Sequence, residues 1–592
     1  MTLEKLHRKS ILTFFVTSVF FVFIFRLFYM QIISQQRYEE RSSDNSVKAI
    51  VQTPFRGVFY DRNLKLLVEN MPTYSTRVTP ADFDTKNIPL LEVILNLQPG
   101  TIQRILDANK LYSKYIPVRV KKGCTSEEVG LLEENSHRLE GVDYVIDIQR
   151  GYSENVKASH IFGYLREIGQ KELERDSGKY YILGDQIGFI GLEKKYEEFL
   201  RGEKGYQYTL VDSRRRTIGK YKDGTADVQS SKGKDLVLSL DSKAQSVAEQ
   251  ELIGRSGAVV AIEPKTGEIL VLASAPDYDL SEFSDVLNPE YLRNLQADKL
   301  KPQYNRATLS TFPPGSTFKV LCALAGLEMG AITLNSTLPC SGGFTFGRFF
   351  KCHGAHGAVG IAYSIEQSCN TFYYQLIFKI GLDRLHDFAK KFGIGVKTGI
   401  DLLEESSGLI PNEEYYIKRY GKDWPRGILV SLGIGQGEIS LTPLQLAHST
   451  ALIANNGKGF EPHVVKGYLD ENKNYVPFQF KEIDTEVKQE NIDIVKYGMF
   501  LVVEGNGTAT NIRTPGIQIA GKTGTAQNPH GNDHSLFIAF APYEDPQIAI
   551  SVIVENAGYG SAAAAPLAQK VIAAYLESVG YKKDDIKIAV MQ

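Results

Sequence analysis

Apolar and polar positions alternate differently along three stretches of the chain. The first is an unbroken apolar run. Residues 11–33 read ILTFFVTSVFFVFIFRLFYMQII, with Arg26 as the single charge. At about 1.5 Å per residue such a helix crosses a bilayer core. Arg26 lies toward the outer end, where its side chain can reach the headgroups. In residues 34–235 short strand-like runs, GVFYD and TYSTRVT, are interleaved with amphipathic helices over Ile88–Asn96 and Ser126–Ser136. Thr125 is placed to cap the second helix. Glu193 and Glu197, in GLEKKYEEF, read as a solvated helix face. The polar stretch Lys222–Lys234, KDGTADVQSSKGK, reads as a linker. From Asp235 strands and helices become longer. DLVLSLD is a strand and Ser242–Leu252 a helix; GAVVAIEP and EILVLASA form a hairpin around KTG. A mainly helical region runs from about Gly315 to Leu446. Three strands follow, IQIAGKTGTA, HSLFIAFAP and QIAISVIVEN, and then a helix over Pro566–Val579. This order predicts a multidomain α+β chain whose last part, 236–592, is one antiparallel sheet with helices on its faces.

Lys5, Arg8 and Lys9 precede the apolar run, so residues 1–10 are expected in the cytoplasm and the rest beyond the membrane. The first alanine is Ala49, so no small-residue cleavage site follows, and an uncleaved anchor is expected rather than a signal peptide. The 67 Lys and Arg nearly balance the 69 Asp and Glu, which leaves no basic footprint for nucleic acid. Five cysteines in 592 residues exclude a disulfide-stapled scaffold.

The candidate chemistry lies in three short motifs. Ser316-Thr317-Phe318-Lys319 follows Pro313-Pro314-Gly315. The turn puts Ser316 at a helix N-terminus with Lys319 on the same face. A serine hydroxyl needs an adjacent base, and a buried lysine can be one. Ser368-Cys369-Asn370 falls inside the helical pattern IEQSCNTFYYQLIF. Lys522-Thr523-Gly524-Thr525 follows the strand IQIAG, where small residues let a substrate backbone approach a strand edge. Each motif has decoys: Ser231-Lys232-Gly233-Lys234, Ser43-Asp44-Asn45, Lys265-Thr266-Gly267 and Lys397-Thr398-Gly399. Order and context separate the set from them. The three motifs together are the serine acyl-transfer set of penicillin-binding proteins and β-lactamases.

The chain therefore resembles a class B penicillin-binding protein, a peptidoglycan D,D-transpeptidase, and most closely the elongation-type penicillin-binding protein 2 subgroup. Further text supports the resemblance. It includes Arg56-Gly57 and Asp61-Arg62, then Arg150-Gly151-Tyr152 with His160 and Gly163-Tyr164. Gly191–Gly205, Asn305-Arg306-Ala307 and LGIGQGEISLTPLQLA also fit. Ser535-Leu536 departs from it, standing where an aromatic is frequent. The resemblance implies an elongated pedestal, 34–235, with a head subdomain around 85–150. It implies that Ser316 is acylated by a stem peptide, Lys319 takes its proton and Ser368 relays a proton to the departing D-Ala. Asn370 holds the substrate amide, and Lys522, Thr523 and Thr525, with Gly524 between the last two, face the terminal carboxylate. Backbone N–H groups of Ser316 and Thr525 form the oxyanion hole. β-Lactams mimic the D-Ala-D-Ala end. No cofactor is required for the chemistry. The expected partners are the membrane, a SEDS-family glycosyltransferase and elongation-complex proteins, with substitutions at Arg56 or Arg150 sparing penicillin labelling. The expected location is the inner membrane, with a periplasmic catalytic domain and a role in cell shape.

Cys340, Cys352, His356 and Cys369 follow at intervals of 11, 3 and 12 residues. Three thiolates and an imidazole suit a closed structural zinc site. The Gly-rich stretch CSGGFTFGRFFKCHGAHGAVG gives little core packing, so a metal clip is a physical means of holding it. His353 is an alternative ligand, and a Cys340–Cys352 disulfide is the competing reading. Cys322 is expected in the core. Two rival functions are a membrane-anchored β-lactam sensor and a non-enzymatic wall-synthesis scaffold. The first is disfavoured by the short tail before the anchor. A carboxypeptidase shares the acylation half.

Overall fold

The structure is a computed structural model that describes residues 3–33, 47–110, 114–182, 184–211, 217–284, 289–529 and 531–581. The decoy Ser43-Asp44-Asn45 lies outside the described residues. A helix spans Leu3–Phe28 and continues through a wider turn, Tyr29–Ile33. Its stretch Ser10–Ile33 has a mean hydropathy of 2.3 and buries nothing against the protein. Such a helix is long and apolar enough to cross a membrane.

The remainder forms two compact units. One takes its residues from the chain up to Phe55, from Tyr74–Ile146 and from Gly202–Gly233. Val47–Gln52 pairs antiparallel with Gly205–Val211, which pairs in turn with Thr217–Lys220. A separate small core contains Leu91, Leu95, Ile102 and Leu139. Helices Ile88–Ile94 and Ser126–Glu134 fall where the apolar spacing predicts them. Thr125 accepts from the Glu128 N–H at 3.1 Å and the Glu128 carboxylate accepts from the Thr125 N–H, a reciprocal cap. The polar stretch expected to be a linker is paired by bridges from Ser231 to Glu203 and from Val228 to Tyr206.

The second unit joins Arg56–Thr73 and Asp147–Arg201 to everything from Lys234 onward. In its first part the structure corrects the sequence. Glu193 is fully buried, not solvated. It accepts from Arg56 Nε at 2.6 Å and from Arg150 Nε at 2.8 Å. Glu197 is also paired with Arg56, and it accepts from the Tyr181 hydroxyl at 2.6 Å. The helix that carries both is short, Gly191–Lys195 and then Glu197–Leu200, so its polar side can turn inward onto two arginines from segments distant in the chain. Periodicity shows a polar face but not whether buried cations meet it.

The main body is built on helix α1 (Ser242–Glu251) and the hairpin β1 (Gly257–Ile262) and β2 (Ile269–Ala275). Helix α2 (Phe318–Glu328), strands β3 (Gly343–Phe346) and β4 (Arg348–Lys351), and helices α3 (Asn370–Ile380), α4 (Pro443–Ala454) and α5 (Gln489–Glu504) follow. Strands β5 (Ala520–Ala526), β6 (His534–Ala541) and β7 (Ile548–Val554) and helix α6 (Ala564–Ser578) close it. The sheet order is β2-β1-β7-β6-β5, antiparallel throughout, with β5 at one edge. Every residue of β1, β2 and β7 is buried, so helices cover both faces. The hairpin, the three late strands and the last helix are those expected from the sequence.

Candidate active site

Gly315–Thr317 form a single tight turn that runs directly into α2. Pro314, Gly315, Thr317, Phe318 and Lys319 are buried, whereas Ser316 is part-exposed. The nucleophile candidate is thus the one residue of the turn open to a substrate. Gly315 has φ +55°, and a Cβ there would lie 2.5 Å from the Thr525 carbonyl oxygen. Only glycine lets the turn come this close to strand β5. Lys319, one residue into α2, is completely buried beneath it.

Ser368 and Cys369 do not continue a helix as the pattern suggests; they separate two. The helix Ile361–Glu366 ends at Gln367, and α3 begins at Asn370. Ser368 is left-handed, with φ +52°. The Ser368 N–H donates to Ile365 O at 3.2 Å and the Cys369 N–H to Ser364 O at 3.0 Å, the double bond of a helix-ending cap. Glycine is the usual residue there. A serine accepts about 1–2 kcal/mol of backbone cost in order to carry a hydroxyl at this point.

That hydroxyl lies between two lysines. Lys319 Nζ is 3.2 Å and Lys522 Nζ 3.0 Å from Ser368 Oγ. Lys319 also donates to Ser368 O at 2.7 Å and to Asn370 Oδ1 at 2.6 Å. Burial holds the Lys319 ammonium down to about 7, with the nearby cysteine sulfurs opposing part of the shift. Lys522 is pushed down as well, first by burial and then by the charge of Lys319. Two buried amines with lowered proton affinity around one hydroxyl form a group that can give up and take back protons.

Lys522, Thr523, Gly524 and Thr525 lie on the edge strand β5. A Cβ on Gly524 would lie 2.8 Å from Thr317 Cγ2, so this glycine is needed for the strand to pass the Ser316 turn. The structure therefore brings all eight predicted catalytic positions to one place, and none of the decoys among the described residues. Ser231 and Lys232 are exposed, Lys265-Thr266-Gly267 is the β1–β2 turn, and Lys397-Thr398-Gly399 is loop. Two further residues join the site. Thr508 Oγ1 is 2.6 Å from Thr523 Oγ1, and Gln436 Nε2 donates to Thr525 O at 3.0 Å. Gln436 lay within the quoted LGIGQGE; Thr508 had no sequence signal.

Beside the active set, Cys340, Cys352, His356 and Cys369 present four donor atoms within 4.8 Å of one another. His356 Nδ1 is 3.4 Å from Cys340 Sγ and 3.7 Å from Cys352 Sγ, and Cys352 Sγ is 3.8 Å from Cys369 Sγ. The described cysteines are unbridged, His353 is exposed and outside the cluster, and Cys322 is buried in α2. The Cys369 thiol, followed by backbone N–H groups of Thr371 and Gly354, stabilises the Cys352 thiolate, whereas Cys369 is held protonated by that same contact and by burial.

An edge strand bearing Lys-Thr-Gly, a serine over a buried lysine and a Ser-Cys-Asn break between helices define a serine acyltransferase. Residues 257–573 match the penicillin-binding protein transpeptidase domain, and residues 51–238 match the penicillin-binding protein dimerisation domain. The chain belongs to the penicillin-binding protein transpeptidase family. It is 35% identical to the peptidoglycan D,D-transpeptidase MrdA of Acinetobacter baumannii, over 91% of this chain and 83% of that protein. It is similar to penicillin-binding protein 2 of Helicobacter pylori in its complex with MreC, with 28% identity and a TM-score of 0.76 over 90% of this chain and all of that one. A chain from a structure on the coordination of polymerization and crosslinking by a peptidoglycan synthase complex is also similar. It has 27% identity and a TM-score of 0.73, over 98% of this chain and all of that one.

Proposed function

We propose that Ser316 is the acyl acceptor of a peptidoglycan D,D-transpeptidase of the elongation type, and that this enzyme is a target of penicillin. The chain is a serine-type D,D-transpeptidase. The observation that carries the residue roles is the Ser368 hydroxyl held between Lys319 and Lys522 at the foot of the Ser316 turn. Neutral Lys319 takes the Ser316 proton as Oγ attacks the carbonyl of the penultimate D-Ala. The backbone N–H groups of Ser316 and Thr525 receive the oxyanion. As the C–N bond breaks, Ser368 passes a proton to the departing D-Ala amine and is reprotonated through the lysines. Asn370 orients the donor amide, and Lys522, Thr523 and Thr525 receive the terminal carboxylate. The amine of a second stem peptide then attacks the ester, loses its proton to the same relay, and releases Ser316 with the cross-link formed. Labelled penicillin should map to Ser316 alone; label on another residue overturns the assignment. Hydrolysis by water in place of the amine is a side reaction of the same acyl-enzyme.

The anchor is placed with residues 1–10 in the cytoplasm, the span at 11–33, a pedestal at 34–235 and the transpeptidase domain at 236–592 beyond the inner membrane. The charges before the span support this orientation. The proposed partners are a SEDS-family glycosyltransferase and elongation-complex proteins, in keeping with the MreC complex of the Helicobacter pylori relative.

We also assign a structural zinc to Cys340, Cys352, His356 and Cys369. Tetrahedral zinc with bonds near 2.3 Å to sulfur separates its sulfur ligands by about 3.8 Å, and the observed Cys352–Cys369 separation is 3.8 Å. The metal supplies no step of the chemistry; it ties Cys369 down and with it Ser368 and Asn370. About one zinc per chain, lost in a Cys352→Ser/His356→Ala variant, supports this. A stoichiometric disulfide in metal-free protein rejects it.

A further inference from the structure

A cleft of about 510 Å³ opens between the β3–β4 hairpin and residues 425–438. This is within the usual size for a ligand site. Phe346, Phe350 and Ile428 give it apolar walls, Arg348 stands on the hairpin side, and Glu438 on the other. The hairpin is firmly mounted. Phe346 packs on Phe378 at 4.8 Å between ring centres and Phe350 on Tyr374 at 5.8 Å, both partners lying on α3, the helix that starts at Asn370. Its two ends lead to Cys340 and Cys352. The Arg348 guanidinium lies 4.7 Å over the Phe350 ring, and the Glu438 carboxylate accepts from the Tyr416 hydroxyl at 2.8 Å.

One wall of the cleft continues along the chain into residues that touch the candidate active site. Gly437 lines it, and the two residues before Gly437 touch the oxyanion side of the site. Gln436 donates to Thr525 O at 3.0 Å, and Gly435 O accepts from the Gly315 N–H at 2.8 Å. In the proposed function β5, Asn370 and Lys522 are occupied by the acyl donor, which leaves the second peptide to be held elsewhere. It must bring a free amine, and the peptide that carries the amine also bears a carboxylate. An apolar channel with one cation and one anion is complementary to that zwitterion.

We propose that this cleft is the acceptor subsite, with Glu438 facing the ammonium of the incoming stem, Arg348 its carboxylate, and Phe346 and Phe350 its methylene chain. The proposal rests on the transpeptidase reading. The experiment follows acyl transfer from a D-Ala-D-Ala peptide donor by the full chain. The acceptors are Nα-acetyl-lysine, its methyl ester and n-butylamine. Arg348→Ala should raise the acceptor KM for Nα-acetyl-lysine at least fivefold while kcat holds, and leave KM for the ester where it was. Glu438→Gln, which keeps an acceptor for Tyr416, should raise KM for all three amines. Equal acceptor KM values in the wild type and both variants overturn the subsite, as does a rise in donor KM instead. A wild-type chain that penicillin labels at Ser316 but that transfers to none of the amines overturns it too. A wild-type chain that penicillin does not label at Ser316 overturns the reading beneath it.

Discussion

Ser368 illustrates how a single residue can be placed against its conformational preference for the sake of its side chain. Its φ of +52° is a glycine conformation, and its hydroxyl is shared by two buried amines. Stability and function should therefore separate at this position. Ser368→Gly is expected to raise or hold the melting temperature while cutting acylation by about 100-fold or more, the ordinary scale for a lost proton relay. A parallel loss of both would show that the hydroxyl is structural. Lys319 supplies the pH dependence. Burial lowers it to about 7, below the ordinary lysine value, so it is charged under acidic conditions and neutral above. A base must be neutral to accept a proton. The rate of penicillin acylation should climb about tenfold per pH unit below 7 and level off above it. A flat profile from about pH 5 to 9 would assign the base elsewhere.

At the scale of elements, β5 does the work that its position allows. As an edge strand it offers unpaired backbone to a peptide, and its glycine passes under the Ser316 turn. This was legible in the sequence because Lys-Thr-Gly followed a strand and was itself followed by two more. The hairpin, the capped helix after Thr125 and the closing helix were legible for the same reason: each combines a strong period with a stop signal. The break at Ser368 was not, because a serine in a left-handed cap leaves no mark that glycine would. Thr508 and the pairing of Glu193 were equally silent, since both depend on contacts between segments far apart in the chain. The Glu193 network has a measurable consequence. Removing this fully buried carboxylate takes the shared anion from Arg56 and Arg150, leaving Arg56 with Glu197 and Arg150 with the Asn70 and Gly57 oxygens. Glu193→Ala is expected to cost about 3–5 kcal/mol in urea unfolding. A loss below about 1 kcal/mol would place the arginines in solvent. Arg56 and Arg150 hold this network; substitutions there are expected to impair the polymerising partner while sparing penicillin labelling, and a loss of labelling in step with the loss of polymerisation would point to misfolding instead.

For the whole molecule, the division of labour follows from what the anchor touches. The helix is exposed along its apolar stretch, Ser10–Ile33, so that stretch adds nothing to the buried core of the site. The proposed catalytic residues, the cysteine cluster and the cleft all lie in the second unit. In the proposed function this helix fixes where the enzyme works: it would confine the enzyme near newly polymerised strands, and tethering alone can change an apparent rate by 100-fold or more with no new contact. A chain shortened to begin at residue 34 should leave the membrane fraction and keep penicillin labelling of Ser316 at the wild-type rate. With short soluble donor and acceptor peptides it should match the full chain. On strands made by a polymerase embedded in the same vesicles, it should fall well behind the full chain, and the gap should close as the shortened chain is added in excess. A gap that persists at high enzyme concentration would show that the anchor makes specific contacts with the polymerase rather than acting as a tether. Loss of labelling together with anchoring would show that the helix supports the fold itself.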